Sequence, residues 1–413
     1  MSWGLFVHNW RSSIPPPIRN TLTDGELETL FIDLDRTFNA AQLMRGLVTS
    51  DGNGKLAFVA NARMDGVNDA AAIWTSDDYG VTWTENIWST LMVTPLSPAA
   101  PLDSDSYITE IDRNPTTGRL YMCVIDLNTV GNRLRYDYFS DDFARTWTQY
   151  LFTTPLPVSQ SIRTLGLTLH VGADDVIFGG GRNRPTISGF NDTMYAVKAG
   201  TPGATSGFGT DEGPATTYDA VKLGGTYYVR TVVGSNVQID EVNGTATTVI
   251  AHNNPVTSNF FNTLNWSETD GVRAFLRSTT NTTSNGIAVL VEGHDFTNVL
   301  PSIQLTFPSV AVIGDIGFHP DAGWVAVGYT TVPSTNSKIF VHYSADGITW
   351  STTPLEWRVP AIYGSNFAFG GRMEVTYIGN DEWALAFRTN RLDLFSTVWL
   401  DRPALMKFTC NAL

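Results

Sequence analysis

Three tryptophan-ended segments with nearly the same spelling constrain this chain more than any other feature. They are Ser76-Asp77-Asp78-Tyr79-Gly80-Val81-Thr82-Trp83, Ser140-Asp141-Asp142-Phe143-Ala144-Arg145-Thr146-Trp147 and Ser344-Ala345-Asp346-Gly347-Ile348-Thr349-Trp350. Each reads as a hairpin. Ser and Asp side chains bond nearby backbone amides, Gly takes a turn conformation that other residues resist, and Thr-Trp opens the returning strand. Such a turn stabilises itself and carries no reactive pair, so Ser76, Asp78, Gly80, Trp83, Ser140, Asp142, Trp147, Ser344, Asp346, Gly347 and Trp350 are expected to be structural.

A second repeat runs through the whole chain. An apolar strand, a polar turn and another apolar strand recur about seven times. The turns fall at Asp51 to Lys55, Asn114 to Arg119, Gly172 to Asp175, Leu223 to Thr226, Glu268 to Val272, His319 to Gly323 and Gly379 to Glu382. Each precedes a strand such as Leu56-Ala57-Phe58-Val59-Ala60 or Trp383-Ala384-Leu385-Ala386-Phe387. A spacing of roughly 45 to 65 residues suits a four-stranded blade, which predicts an all-β propeller of about seven blades, with six if one unit is miscounted. In a ring of similar blades each blade buries its faces against two neighbours, so 413 residues can form one body. Residues 1–40 contain Pro15-Pro16-Pro17 and no clear hairpin. They read as an arm or a ring-closing segment ahead of a propeller over 41–413, either lending a strand to the last blade or docking onto another chain. The nearest helical pattern is the Glu- and Leu-rich stretch Asp24 to Asp35, expected as a turn or two of helix.

Charge and composition exclude several classes. With 26 basic and 40 acidic residues the net charge is −14, a sign that phosphate backbones and anionic lipid repel. No dense Lys/Arg stripe overrides it, so no nucleic-acid partner is expected. No stretch of about eighteen apolar residues exists, and Met1 to Trp10 lacks the charged start and long apolar run of a secretory signal, so neither membrane insertion nor signal-directed export is expected. The histidines His8, His170, His252, His294, His319 and His342 lack the paired spacing of a zinc site, and no EF-hand loop is present; no metal and no cofactor are expected. Cys123 and Cys410 cannot make a disulfide framework. Gly179-Gly180-Gly181-Arg182 lacks the Lys-Ser/Thr ending and following helix of a phosphate cradle.

The three tryptophan-ended segments resemble the Asp-box, the S-x-D-x-G-x-T-W signature of sialidase-like propellers. The likeness extends into the first blade. Arg45-Gly46-Leu47-Val48, Asp51-Gly52, Leu56 to Arg63, Asp65 or Asp69, and then Ser76 to Trp83 follow the order of a sialidase's first carboxylate-binding arginine, turn, strand, proton donor and box. By that resemblance Arg45 would bind a substrate carboxylate, Arg63 would end the apolar strand that follows it at the divergent site, and Asp65 or Asp69 would protonate a leaving group. The likeness then stops. Arg372-Met373-Glu374-Val375 stands where the family carries its tyrosine nucleophile, and Arg45 lacks the Ile-Pro that normally follows the first arginine.

Aromatic residues outside the predicted strands, among them Tyr218, Phe260, Trp357 and Tyr363, offer stacking faces to a sugar or anchors to a protein. An acidic ring rich in Thr, Asn and Gly, with an arm and a degraded sialidase-like site, resembles a bacteriophage tail or fibre component. That resemblance implies a non-enzymatic virion protein, made in the host cytoplasm without a signal peptide. Other virion or tail proteins and a host-surface glycan or receptor would be its partners, and it would be a homo-oligomer in the assembly. The alternatives are a sialidase-like glycoside hydrolase with a divergent active site and a purely structural assembly ring.

Overall fold

The computed structural model describes residues 28–30, 47–63, 69–87, 92–94, 106–114, 116–126, 133–149, 156–158, 169–171, 176–183, 191–198, 206–208, 219–224, 226–233, 236–242, 249–250, 264–269, 271–278, 286–291, 302–306, 311–330, 338–358, 367–392 and 399–413. Within them the chain forms seven sheets, antiparallel but for one short parallel pairing in the second. Blade 1 runs from the inside outward as Leu47–Ser50, Leu56–Arg63, Asp69–Ser76 and Thr84–Ile87. Blades 2 to 6 begin with inner strands Ser106–Arg113, Leu169–Val171, Asp219–Leu223, Leu264–Thr269 and Ala311–His319. Blade 7 begins with Phe367–Gly379 and continues through Glu382–Leu392 and Trp399–Thr409.

Closure of the ring is visible in the inner strands. Each touches the inner strand of the next blade, and Phe367–Gly379 of blade 7 touches Leu47–Ser50 of blade 1, completing the circle. The expected propeller of seven blades is what the chain folds into. All seven expected inner hairpins lie between the first and second strands of a blade.

Why these segments form such sheets is clearest in blades 6 and 7. In strand Gly323–Thr330, Trp324 and Ala326 pack toward blade 5 with Phe275, while Val325 and Val327 pack toward blade 7 with Val375, Trp383 and Leu385. Blade 7 repeats the pattern. Trp383, Leu385 and Phe387 face blade 6, and Ala384 and Ala386 face Val48, Leu56 and Phe58 of blade 1. Side chains alternate across a strand, so a strand covered on both faces must be apolar at every position. The unbroken apolar runs of the sequence are this two-sided burial.

Two departures mark the ring. The fourth strand of blade 7 is Glu28–Leu30, antiparallel to Trp399–Thr409 with Glu28 opposite Lys407 and Leu30 opposite Leu405. The stretch expected as a short helix is therefore strand in its described part, because pairing to a sheet edge outweighs the modest helix preference of Glu and Leu. In blade 2 the third strand, Arg133–Ser140, is flanked by two successive segments, Trp147–Gln149 and Leu156–Val158. A further strand, Met92–Thr94, pairs in parallel with the first of these.

Candidate functional site

The strand directions divide the ring into two ends. At one end lie the turns from first to second strand, together with those from third to fourth, including the three boxes. At the other lie the starts of the inner strands, the ends of the second strands and the starts of the third.

The box end is built from side chains that satisfy their own backbone. In the first box the Ser76 hydroxyl donates to Asp78 Oδ1 (2.8 Å) and accepts from the Gly80 amide (2.9 Å). Asp78 in turn accepts from the Thr82 amide (2.8 Å) and the Thr82 hydroxyl (2.6 Å). Trp83 Nε1 donates to the Gly80 carbonyl (3.0 Å), which folds the indole back over the turn. The second box keeps the same Ser140–Asp142–Thr146 pattern, with Ala144 in the position of Gly80. The third, shorter by a residue, keeps it through Ser344, Asp346, Gly347, Thr349 and Trp350.

These bonds set the charge states. In Asp346 the Thr349 amide is the largest influence, outweighing the small burial and, with the Ile348 amide and the Ser344 and Thr349 hydroxyls, lowering the carboxyl from 3.8 to about 2. Asp78 and Asp142 are partly buried, which works against their charge. The hydroxyl and amide of Thr82 and of Thr146 nonetheless hold them below the usual carboxylate range. A carboxylate fixed as an anion with its lone pairs occupied by its own turn is a poor proton donor. The box end is also tied together between blades: Arg145 of the second box pairs with Asp77 of the first, and Lys407 Nζ donates to the Tyr79 carbonyl at 3.0 Å.

Two residues singled out for chemistry adjoin the opposite end. Arg63 closes the second strand of blade 1 and Asp69 opens the third, and the two are register partners across that hairpin. Asp65 lies in the connection between them, outside the described residues, as do Arg45, Tyr218, Phe260 and Tyr363. Trp357 corrects an expectation. Its sequence context reads as a loop, yet it lies in the fourth strand of blade 6, Leu355–Arg358, opposite Ile339 and half-buried against the core shared with blade 7. A Pro-Leu-Glu-Trp-Arg stretch has weak periodicity by itself, and the strand is fixed by pairing to Lys338–Ser344.

Three polar groups sit at the blade seams, two of them histidines that the sequence set aside as metal ligands without placing their contacts. His342 is buried, with Nδ1 2.8 Å from the Ser351 carbonyl and Nε2 3.1 Å from the Thr306 carbonyl of blade 5. His319 stacks on Tyr377 of blade 7, with ring centroids 4.0 Å apart. Asp315 of blade 6 accepts the Val375 amide of blade 7 at 2.8 Å. A lone His or Asp in a strand carries no sequence signal for such a role. Among the described residues no group of three or more His, Cys, Asp or Glu side chains is arranged to hold a metal ion. Cys410 is a buried free thiol, pushed well above its ordinary range by burial.

No family model matches the chain, and no curated protein matches it in sequence. Solved structures resemble it in fold. Prolyl oligopeptidase B from Galerina marginata aligns with a TM-score of 0.50 and 10% identity over 90% of this chain and 52% of that one, so the chain spans about half that enzyme's length. YCF48 from Cyanidioschyzon merolae gives 0.49 and 9% over 92% and 99%. NanB sialidase from Streptococcus pneumoniae, as its K499G mutant, gives 0.45 and 9% over 92% and 70%. At such identities the likeness is one of architecture.

Proposed function

We propose that the chain is a non-enzymatic binding and assembly ring, a phage tail or fibre protein of the virion that engages a host-surface glycan or receptor, or neighbouring tail subunits. The observation that carries this reading is the contrast between the two ends. At the box end, Ser76, Asp78 and Thr82, and their counterparts in the other two boxes, are consumed in holding their own turns. The other end carries the connections between blades, such as the one from Ile87 to Ser106, and connections on a rigid scaffold are where recognition residues accumulate. Shallow sites on several copies of one ring would bind a repetitive surface through avidity.

The experiment is binding of the whole chain to host-surface polysaccharide, presented on beads, with Tyr218→Ala, Phe260→Ala and Tyr363→Ala tested beside Asp65→Asn and Asp69→Asn. Binding that survives the two Asn variants and fails in the aromatic ones supports the reading; absence of binding both to host-surface material and to neighbouring tail subunits sinks it.

One observation favours a second reading, a sialidase-like hydrolase. Arg63 and Asp69 are register partners at the end where the blades are connected. Release of sialic acid from a synthetic glycoside, abolished by Asp69→Asn, would replace the first proposal with this one.

A further inference from the structure

We infer that Asn53 is a spontaneous modification site, a deamidation switch whose rate is set by opening of the seam between blades 7 and 1. The turn Asp51-Gly52-Asn53-Gly54 carries an Asn-Gly pair, the dipeptide in which a following residue without a side chain leaves the asparagine carbonyl most open to attack. In the ring that attack is blocked at the nucleophile. Asn53 is exposed, but Gly54 is buried and its amide donates to the Ile378 carbonyl of blade 7 at 2.9 Å. The Gly54 carbonyl accepts the Tyr79 amide at 2.9 Å, and φ of Gly54 is +94°. The Tyr79 ring stands so close that a Cβ on Gly54 would lie 2.8 Å from it. The amide nitrogen that must turn toward the Asn53 side chain is thus held from both sides, and from two blades.

The chemistry needs only water and base. The Gly54 nitrogen, having lost its proton to base, attacks Asn53 Cγ. As that N–C bond forms, the Cγ–Nδ2 bond breaks and ammonia leaves with a proton. Water then opens the cyclic imide at either carbonyl, giving aspartate or isoaspartate. Isoaspartate lengthens the main chain of a turn clamped between Ile378 and Tyr79. Either product adds a negative charge beside Asp51, whose Oδ1 accepts the Asn53 and Lys55 amides at 2.7 and 3.0 Å. The lengthened isoaspartate turn no longer fits the seam.

The test is timed incubation of the intact chain in mildly alkaline buffer, with deamidation at each Asn-Gly pair quantified by peptide mass spectrometry. The sequence supplies its own controls in Asn243-Gly244 and Asn285-Gly286. A free peptide covering residues 50–56 gives the unprotected rate. Asn53 in the intact chain is expected to react at least about tenfold more slowly than in the peptide, the factor that about 1.4 kcal/mol of local opening imposes. Lys407→Met, which removes the bond to the Tyr79 carbonyl, and Tyr79→Ala, which removes the ring over Gly54, should each accelerate Asn53 and leave the two controls at their wild-type rates. Reaction of Asn53 at the peptide rate in the wild-type chain overturns the inference. So does a rise at all three pairs together in both variants, which would report global unfolding, or no change at Asn53 in either.

Discussion

Replacing Asp346 by Asn isolates what the charge of a box aspartate contributes. The carboxyl is lowered from 3.8 to about 2, with the Thr349 amide as the main cause. Taken at face value, that difference corresponds to about 2.4 kcal/mol of folding stability at neutral pH. Asp346 is exposed, so water and salt screen much of it, and about 1 kcal/mol is the magnitude to expect. Because the folded carboxyl is the more acidic one, the unfolded chain takes up the proton first as pH falls. The contribution is therefore complete above about pH 5, roughly halved near pH 3, and nearly gone at pH 2. The assay is chemical denaturation of wild type and Asp346→Asn at several pH values, read by linear extrapolation. The variant should be less stable by about 1 kcal/mol at pH 7, and the two curves should converge in acid. A gap that stays constant down to pH 2 would show that the loss comes from shape or hydrogen-bond count rather than charge. No gap at pH 7 would show that Thr349 and Ile348 hold the turn without it.

Gly323→Ala should destabilise the ring by about 2 kcal/mol or more, since φ is +76° and the new Cβ would stand 2.8 Å from the Ser344 carbonyl oxygen and 3.2 Å from Ala412 Cβ; thermal unfolding reads it. His319 and His342 are both held below the ordinary histidine value, burial being the main cause. Their neutral forms are favoured on folding, so stability is complete above about pH 6.5 and falls as acid charges the unfolded chain first; His342→Gln should flatten part of that fall in a pH series of unfolding midpoints. Trp383→Phe removes a buried donor, Nε1 to the Cys410 carbonyl at 2.8 Å, and should cost about 1–3 kcal/mol in urea denaturation.

What could be read before the structure was the hairpin grammar. The turn Gly379 to Glu382 and the run Trp383 to Phe387 announce themselves because a tight turn and two-sided burial both act through neighbouring residues. The boxes were legible for the same reason: Asp78, Gly80 and Thr82 act within a few residues of one another. That the segment 1–40 could lend a strand to the last blade was legible, but that Glu28–Leu30 would be that strand was not, because what makes it one is the edge of Trp399–Thr409, which no local pattern encodes. Met92–Thr94 and the strand position of Trp357 escaped notice likewise, each fixed by a partner strand. Of the candidate site, the backbone pairing of Arg63 with Asp69 follows from a hairpin that the sequence displays. The roles of His342 and Asp315 do not, since their partners Thr306 and Val375 belong to other blades.

The pairing of Glu28 with Lys407 spans 407 − 28 = 379 positions of the chain. A ribosome emitting this protein therefore releases the early strand long before the edge it will cover exists. Six blades can stack in order as they emerge, each nucleated by a local hairpin, while Glu28–Leu30 waits. The entropy of joining segments so far apart grows only as the logarithm of the separation, and by then the stacked blades have already brought them near. The last blade is thus a kinetic checkpoint. A nascent ring stalled before it presents an unpaired edge at Trp399–Thr409, the surface on which misassembly would begin.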